Sequence, residues 1–110
     1  MRRAEIWTIS GGGEYNGKPR PAVIVQDDHF DTDSVVLCPF TTDATEAPLL
    51  RLLIEPDGGN GLETPSRIMV DKITTVCRSR LGTRVGALDD ANVLRLNRAI
   101  VVFLGIASSA

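Results

Sequence analysis

The amino-acid sequence predicts a β-dominant α+β domain, a small and strongly bent antiparallel sheet or partly closed barrel with one helix at its C-terminal end. Three observations lead there. Short apolar or alternating runs recur along most of the chain, Gly, Pro and Asp punctuate them every eight to twelve residues, and apolar residues at helical spacing occur only in the tail. A length of 110 residues closes one hydrophobic core but not two, so residues 1–110 read as a single domain. With 43% hydrophobic and 24% charged residues, the chain can bury enough apolar surface to fold without staples.

Glu5–Ile9 is the first expected strand. It runs into the Gly11-Gly12-Gly13 loop, after which Pro21–Gln26, with Ala22, Val23, Ile24 and Val25 in succession, has the continuous apolar character of a buried strand. Asp and His fill the next turn. Ser34–Phe40 is the third strand and Leu49–Ile54 the fourth, and Asp57-Gly58-Gly59-Asn60-Gly61 is a strong turn signal because all three residue types favour turn backbone. Arg67–Val76 and Arg80–Val85 complete the β portion. Asp89 or Asp90 then caps a helix on which Val93, Leu96, Ile100, Phe103 and Leu104 recur at helical spacing.

Composition bounds the function classes. Cys38 and Cys77 lack the paired spacing of zinc or redox motifs, which fits a reduced, cytoplasmic setting. The opening Met-Arg-Arg-Ala-Glu-Ile-Trp has no apolar leader run, and no stretch reaches the roughly 18 apolar residues of a membrane span, so a soluble protein without a membrane partner is expected. The net charge of −2 taken alone argues against a general nucleic-acid binder. Its distribution is uneven: residues 1–26 carry four bases and two acids, residues 27–63 one base and nine acids, residues 64–110 seven bases and three acids. One basic and one acidic surface could result, or the imbalance only solvates the fold.

Candidate chemistry gathers at three places. Lys18-Pro19-Arg20-Pro21 holds a cation between two prolines at the mouth of an apolar strand; each proline fixes its own φ and Pro21 restricts Arg20, which lowers the entropy cost of aiming a guanidinium suited to phosphate. The plainer reading is a surface arginine that starts a strand. Thr41 and Thr42 offer two hydroxyls where the third strand ends, although such threonines usually satisfy local backbone. On the expected strand from Arg67, alternation puts Arg67, Met69 and Asp71 on one face, so that a cation and a carboxylate share a side, or are simply solvated there. His29, the only histidine, sits in an exposed acidic turn and is read as noncatalytic, which removes the two-histidine acid–base chemistry of pancreatic-type ribonucleases. No cluster at ligand spacing supports a metal, and no cofactor is expected. Trp7, beside Ile6 and Ile9, reads as core before it reads as a base-stacking surface.

Taken together, these blocks resemble the MazF/PemK/Kid toxins over almost the whole chain. The matching segments are Arg3-Ala4-Glu5-Ile6-Trp7, residues 17–25 from Gly17 through the Lys18-Pro19-Arg20-Pro21 motif to Val25, Pro39-Phe40-Thr41-Thr42, Gly61-Leu62 through Pro65-Ser66, residues 70–76 from Val70-Asp71 to Val76, Ser79-Arg80-Leu81-Gly82 and the final helix. Their order and spacing, more than any one block, carry the likeness. The resemblance implies an SH3-like antiparallel barrel, a homodimer, and a toxin of a type II toxin–antitoxin system. Such a toxin is a sequence-specific endoribonuclease of the mRNA-interferase type that cuts single-stranded RNA, with messenger RNA the expected substrate. It leaves a 2′,3′-cyclic phosphate and a 5′-OH without a metal, inhibits translation and growth, and is neutralised by a cognate antitoxin.

The same resemblance implies roles for particular residues. Arg20 maps to phosphate binding and transition-state stabilisation, the safer assignment for a group of such high pKa. Thr41 maps to a donor for a nonbridging oxygen, with Thr42 and Lys18 as further RNA contacts. Asp71 matches the general base of the Kid-like branch. That branch has an arginine where this chain has Met69, so either Arg67 substitutes as acid or the chemistry centres on Arg20 and Thr41; Glu14 is a candidate base in place of a loop histidine that the chain lacks. Ala4, where the family has glycine, is expected to be an ordinary extended strand start. Two rivals are a CcdB-like gyrase poison of the same fold, which lacks the pairing of Arg-Pro with Thr-Thr, and a noncatalytic SH3-like interaction module. An acidic antitoxin tail would block a basic groove by charge.

Overall fold

The structure, a computed structural model, describes residues 1–10 and 18–108. Among these lie seven strands and one α-helix: β1 Glu5–Ile9, β2 Arg20–Ile24, β3 Ser34–Thr41, β4 Arg51–Ile54, β5 Ser66–Met69, β6 Thr74–Cys77, β7 Leu81–Ala87 and α1 Asp90–Phe103. The strands form one antiparallel sheet in the order β4-β5-β3-β2-β1-β7, with β6 added on β3. β4 and β7 are its ends and do not pair, so the barrel stays open. The expected β-dominant α+β architecture, with its single C-terminal helix, is what the chain adopts.

The expected strand Arg67–Val76 is in fact two. After Met69 the chain makes a 3-10 turn over Val70–Lys72 and resumes as β6. Both halves lie on the same edge of β3: β5 pairs Ile68 with Phe40 and Arg67 with Thr41, whereas β6 pairs Thr74 with Leu37 and Cys77 with Ser34. The β6 register is offset from that of β5 by three residues, the length of the turn between them. Alternation along an unbroken strand therefore fails beyond Met69, and Met69 itself is buried in place of facing out with Arg67.

Two groups of buried side chains fill the bend. One joins Ile6, Val23, Phe40, Ile54 and Ile68 with Leu96 and Ala99 of α1; the other joins Ile9, Ala22, Ile24, Val35 and Leu37, with Trp7 packed against it. Trp7 is half-buried and its Nε1 donates to Glu5 Oε1 at 3.1 Å, so it behaves as core edge. The helix is capped as the sequence suggests: Asp89 accepts from the Asn92 amide at 2.9 Å. Its buried positions are Leu96 and Ala99, while Phe103 and Leu104 are exposed, contrary to the expected apolar face. The helix meets the core through the middle of its length, with Val93 and Ile100 packed beside the buried pair.

The Asp57–Gly61 turn is locked onto β7. Asn60 is buried, accepts from the amides of Asp57 and Leu62 and donates to Glu55 O. Gly61 takes φ +70°, and a Cβ on Gly86 would lie 2.4 Å from Gly59 O, so both positions require glycine. Ala4 departs from its expected extended form: its φ is +72° in a turn closed by Glu5 N donating to Arg2 O, while its own N–H and C=O bond Ile24 and Leu88. The surrounding bonds hold an alanine where a glycine would be unstrained. Ala4→Gly should therefore raise the unfolding free energy by about 1 kcal/mol, measured by urea denaturation.

Cys38 is fully buried, which pushes its thiol up to about 12, whereas Cys77 is exposed and both are free. A thiol reagent at neutral pH should modify one cysteine per folded chain, Cys77, and reach Cys38 only after unfolding.

Candidate active site

The site is built where strands end. Pro19 and Pro21 flank Arg20 at the first residue of β2, and Thr41 is the last residue of β3. β2 pairs with β3 through Ala22 and Pro39, and carrying that register two residues outward brings Arg20 opposite Thr41. Thr41 in turn pairs with Arg67 of β5. Arg20 and Thr41, with Thr42, line one cavity of about 250 Å³ whose remaining walls are Pro21, Phe40, Ser66 and Met69. Lys18 is exposed two residues before Arg20. Two of the predicted loci thus converge.

Local bonding equips Thr41 for its expected task. Its Oγ1 accepts from the Asp43 amide at 3.1 Å, which leaves the hydroxyl proton to be donated outward. The turn behind it is fixed because Asp43 Oδ1 accepts from Thr45 N at 3.0 Å and Thr45 Oγ1 at 2.8 Å. Those bonds, helped by Arg51 and Arg67, hold the Asp43 carboxyl below its ordinary range. Ser66, buried, donates its hydroxyl to Thr64 O and closes the cavity from β5.

The third locus goes elsewhere. Asp71 lies in the 3-10 turn, outside the cavity wall, and is clasped by Arg51 of β4: Nε to Oδ1 at 2.7 Å and Nη2 to Oδ2 at 2.9 Å. The hydrogen bonds and charge of Arg51 hold the Asp71 carboxyl below its ordinary range despite partial burial. Arg67 donates to Glu46 at 3.2 Å with little of its side chain exposed, and it too is absent from the cavity wall. The expected sharing of one strand face by Arg67 and Asp71 does not occur, because the strand ends between them. Glu14 lies outside the described residues. His29 is exposed and bonded to Asp27 at 2.7 Å, in the turn where it was expected.

Sequence reasoning missed Arg51, Ser66 and the apolar walls Phe40 and Met69. Arg51 carried a usable signal: it is the one base among the nine acids of residues 27–63. A lone cation in an acidic segment, inside a buried strand, is a candidate for a structural ion pair.

A guanidinium and two hydroxyls line a concave cavity without a carboxylate among its described lining residues, a set of groups whose chemistry suits an anion. Comparison with known proteins supplies the family. Residues 2–104 match the model of the PemK-like, MazF-like toxin of type II toxin–antitoxin systems, and the chain belongs to that family. It is 56% identical, over 97% of its length and 99% of the relative's, to a protein of Mycolicibacterium smegmatis described as a probable endoribonuclease MazF. Among solved structures it is similar to a mycobacterial endoribonuclease in complex with its cognate antitoxin (TM-score 0.78, 22% identity, 97% of each chain). It is also similar to the Mycobacterium tuberculosis toxin MazF-mt6 (TM-score 0.77, 22% identity, 92% of this chain and 96% of that one).

The clasp between Arg51 and Asp71 joins β4 to the turn that follows β5, and so braces the Met69 wall. Asp71→Asn should lower stability by about 2 kcal/mol at neutral pH. Because the folded carboxyl titrates below its unfolded value of 3.8, the contribution is complete above that value and is lost as pH falls through the folded one. Urea titrations of both proteins across that range should show a constant gap at neutral pH that closes in acid.

Proposed function

We propose that this chain is an endoribonuclease toxin that cleaves single-stranded RNA, messenger RNA in the first place, at short specific sequences. The observation that carries the reading is the convergence of Arg20, Thr41 and Thr42 on one cavity at the strand ends. In the proposed reaction the ribose 2′-oxygen attacks the adjacent phosphorus and the bond to the 5′-oxygen breaks. The products are a 2′,3′-cyclic phosphate and a 5′-OH; the proton lost by the 2′-hydroxyl is matched by one gained at the leaving oxygen. Arg20 balances the charge that grows on the nonbridging oxygens, and Thr41 donates its free proton to one of them. Lys18 and Thr42 hold the flanking backbone.

Asp71 would have to leave Arg51 to accept a proton, Arg67 would have to leave Glu46 to give one, and neither lines the cavity, so their proposed parts are the lesser ones. Glu14, outside the described residues, stands as the candidate base that the family resemblance suggests. Metal independence is part of the proposal because the cation that the charge requires is supplied by Arg20. As a solved structure of this fold is described in complex with its cognate antitoxin, we extend to this chain an antitoxin whose acidic segment covers the groove, and with it the cytoplasmic homodimer that the family resemblance implies.

The test is incubation of the purified protein with long single-stranded RNAs in excess EDTA, with mapping of 5′ ends and assay for cyclic phosphate. Sequence-specific cuts are expected, slowed roughly 10²- to 10³-fold in Arg20→Ala, with a smaller loss in Thr41→Val and unchanged folding in both. Folded wild-type protein that cuts none of several diverse RNAs would shift the reading to a noncatalytic gyrase poison.

A further inference from the structure

A second cavity, of about 320 Å³, continues from the first. The two share Pro21, Thr42 and Ser66 as a common wall, and the far arm is bounded by Thr8, Glu63 and Thr64. Glu63 is exposed, and among the described residues no hydrogen bond or ion pair engages its carboxylate. A free carboxylate repels phosphate, so this arm does not extend the anion site. It suits an uncharged group that presents N–H donors.

Resting on the ribonuclease reading above, we propose that this arm seats a base next to the scissile phosphate and that Glu63 selects guanine there. The Watson–Crick edge of guanine offers N1–H and N2–H side by side, a pair that matches the two carboxylate oxygens. Cytosine and adenine offer one amino group beside a ring lone pair that repels the carboxylate, and uracil offers one N–H flanked by two carbonyls. Single-stranded RNA can present that edge because its bases are not paired. Phosphates then position the strand at Arg20 while the base edge specifies it at Glu63.

The wall that carries Glu63 is prepared for such a role. It leaves the locked Asn60-Gly61 turn, whose side-chain bonds and close approach to β7 fix the backbone two residues before Glu63. Ser66 bonding Thr64 O fixes it on the other side. Little ordering remains to be done on binding, which favours discrimination. The hydroxyl of Thr8 accepts from Thr83 N at 2.9 Å and so has its proton to give to the base or sugar.

The experiment compares wild type, Glu63→Gln and Arg20→Ala on a pool of RNAs with randomised sequence, reading every cut by sequencing its 5′ end. Wild-type cuts should share guanine at one fixed offset, and Glu63→Gln, whose amide sets its own N–H against a guanine donor, should weaken that preference roughly ten- to a hundredfold while still cutting. Arg20→Ala should slow all cuts without altering the preference. If the wild type cuts but shows no guanine at a fixed offset, or if Glu63→Gln keeps the wild-type preference, the assignment of Glu63 is overturned and the ribonuclease reading stands. If the wild type cuts nothing, the ribonuclease reading falls and takes this one with it.

Discussion

The third strand is the constraint on which the rest of the fold depends. One edge of β3 pairs with β2, and its other edge is divided, with β6 on residues 34–37 and β5 on residues 40 and 41. The changeover falls at Cys38-Pro39. Proline has no N–H to give to a ladder, which makes it tolerable where one neighbour leaves and the next has not yet arrived. A chain that must serve both halves of one edge has to turn between them, and Val70–Lys72 is that turn. The sheet bends there, the hydrophobic groups collect inside the bend, and α1 covers them with Leu96 and Ala99.

The site inherits its geometry from the same division. Because β5 meets β3 only at its far end, Ser66 and Met69 stand beside Phe40 and Thr41 instead of extending down the strand. The cavity is therefore framed by strand ends, whose backbone is held by ladders and whose buried side chains Phe40, Ser66 and Met69 form its walls. Arg20 enters between two prolines, at the first residue of β2. The ion pair of Arg51 with Asp71 holds the turn that makes this framing possible.

What the sequence disclosed follows from how local each signal is. Apolar runs gave β1 through β4 within a few residues, and the Asp89 cap gave the start of α1, because those features depend on near neighbours. The break after Met69 was not legible: Ile68, Val70, Ile73 and Val76 are compatible with a continuous strand, and only the partner's register forbids one. Ala4 was misread for a similar reason. Its positive φ is imposed by bonds to Ile24 and Leu88, residues far along the chain, against the preference of alanine itself. Arg20 and Thr41 were legible as separate oddities, and their proximity followed once β2 and β3 were known to be antiparallel neighbours. Arg51 stayed hidden because its partner is contributed by the turn that the sequence did not reveal.

Charge shows the same dependence on long-range pairing. Arginines of the basic segments pair with acids far along the chain: Arg67 with Glu46, Arg78 with Asp31, Arg84 with Glu5 and Arg2 with Asp28. A net charge of −2 then says little about RNA, because much of the formal charge is neutralised within the surface. What a polyanion meets is the local field of the groove, with Lys18 and Arg20 at one end and the unpaired Glu63 at the other. In the proposed complex such a gradient would set the direction of the strand, phosphates toward the arginine and a base edge toward the carboxylate. Under the proposed function, affinity lost to Glu63 would be returned as selectivity for the base seated beside it.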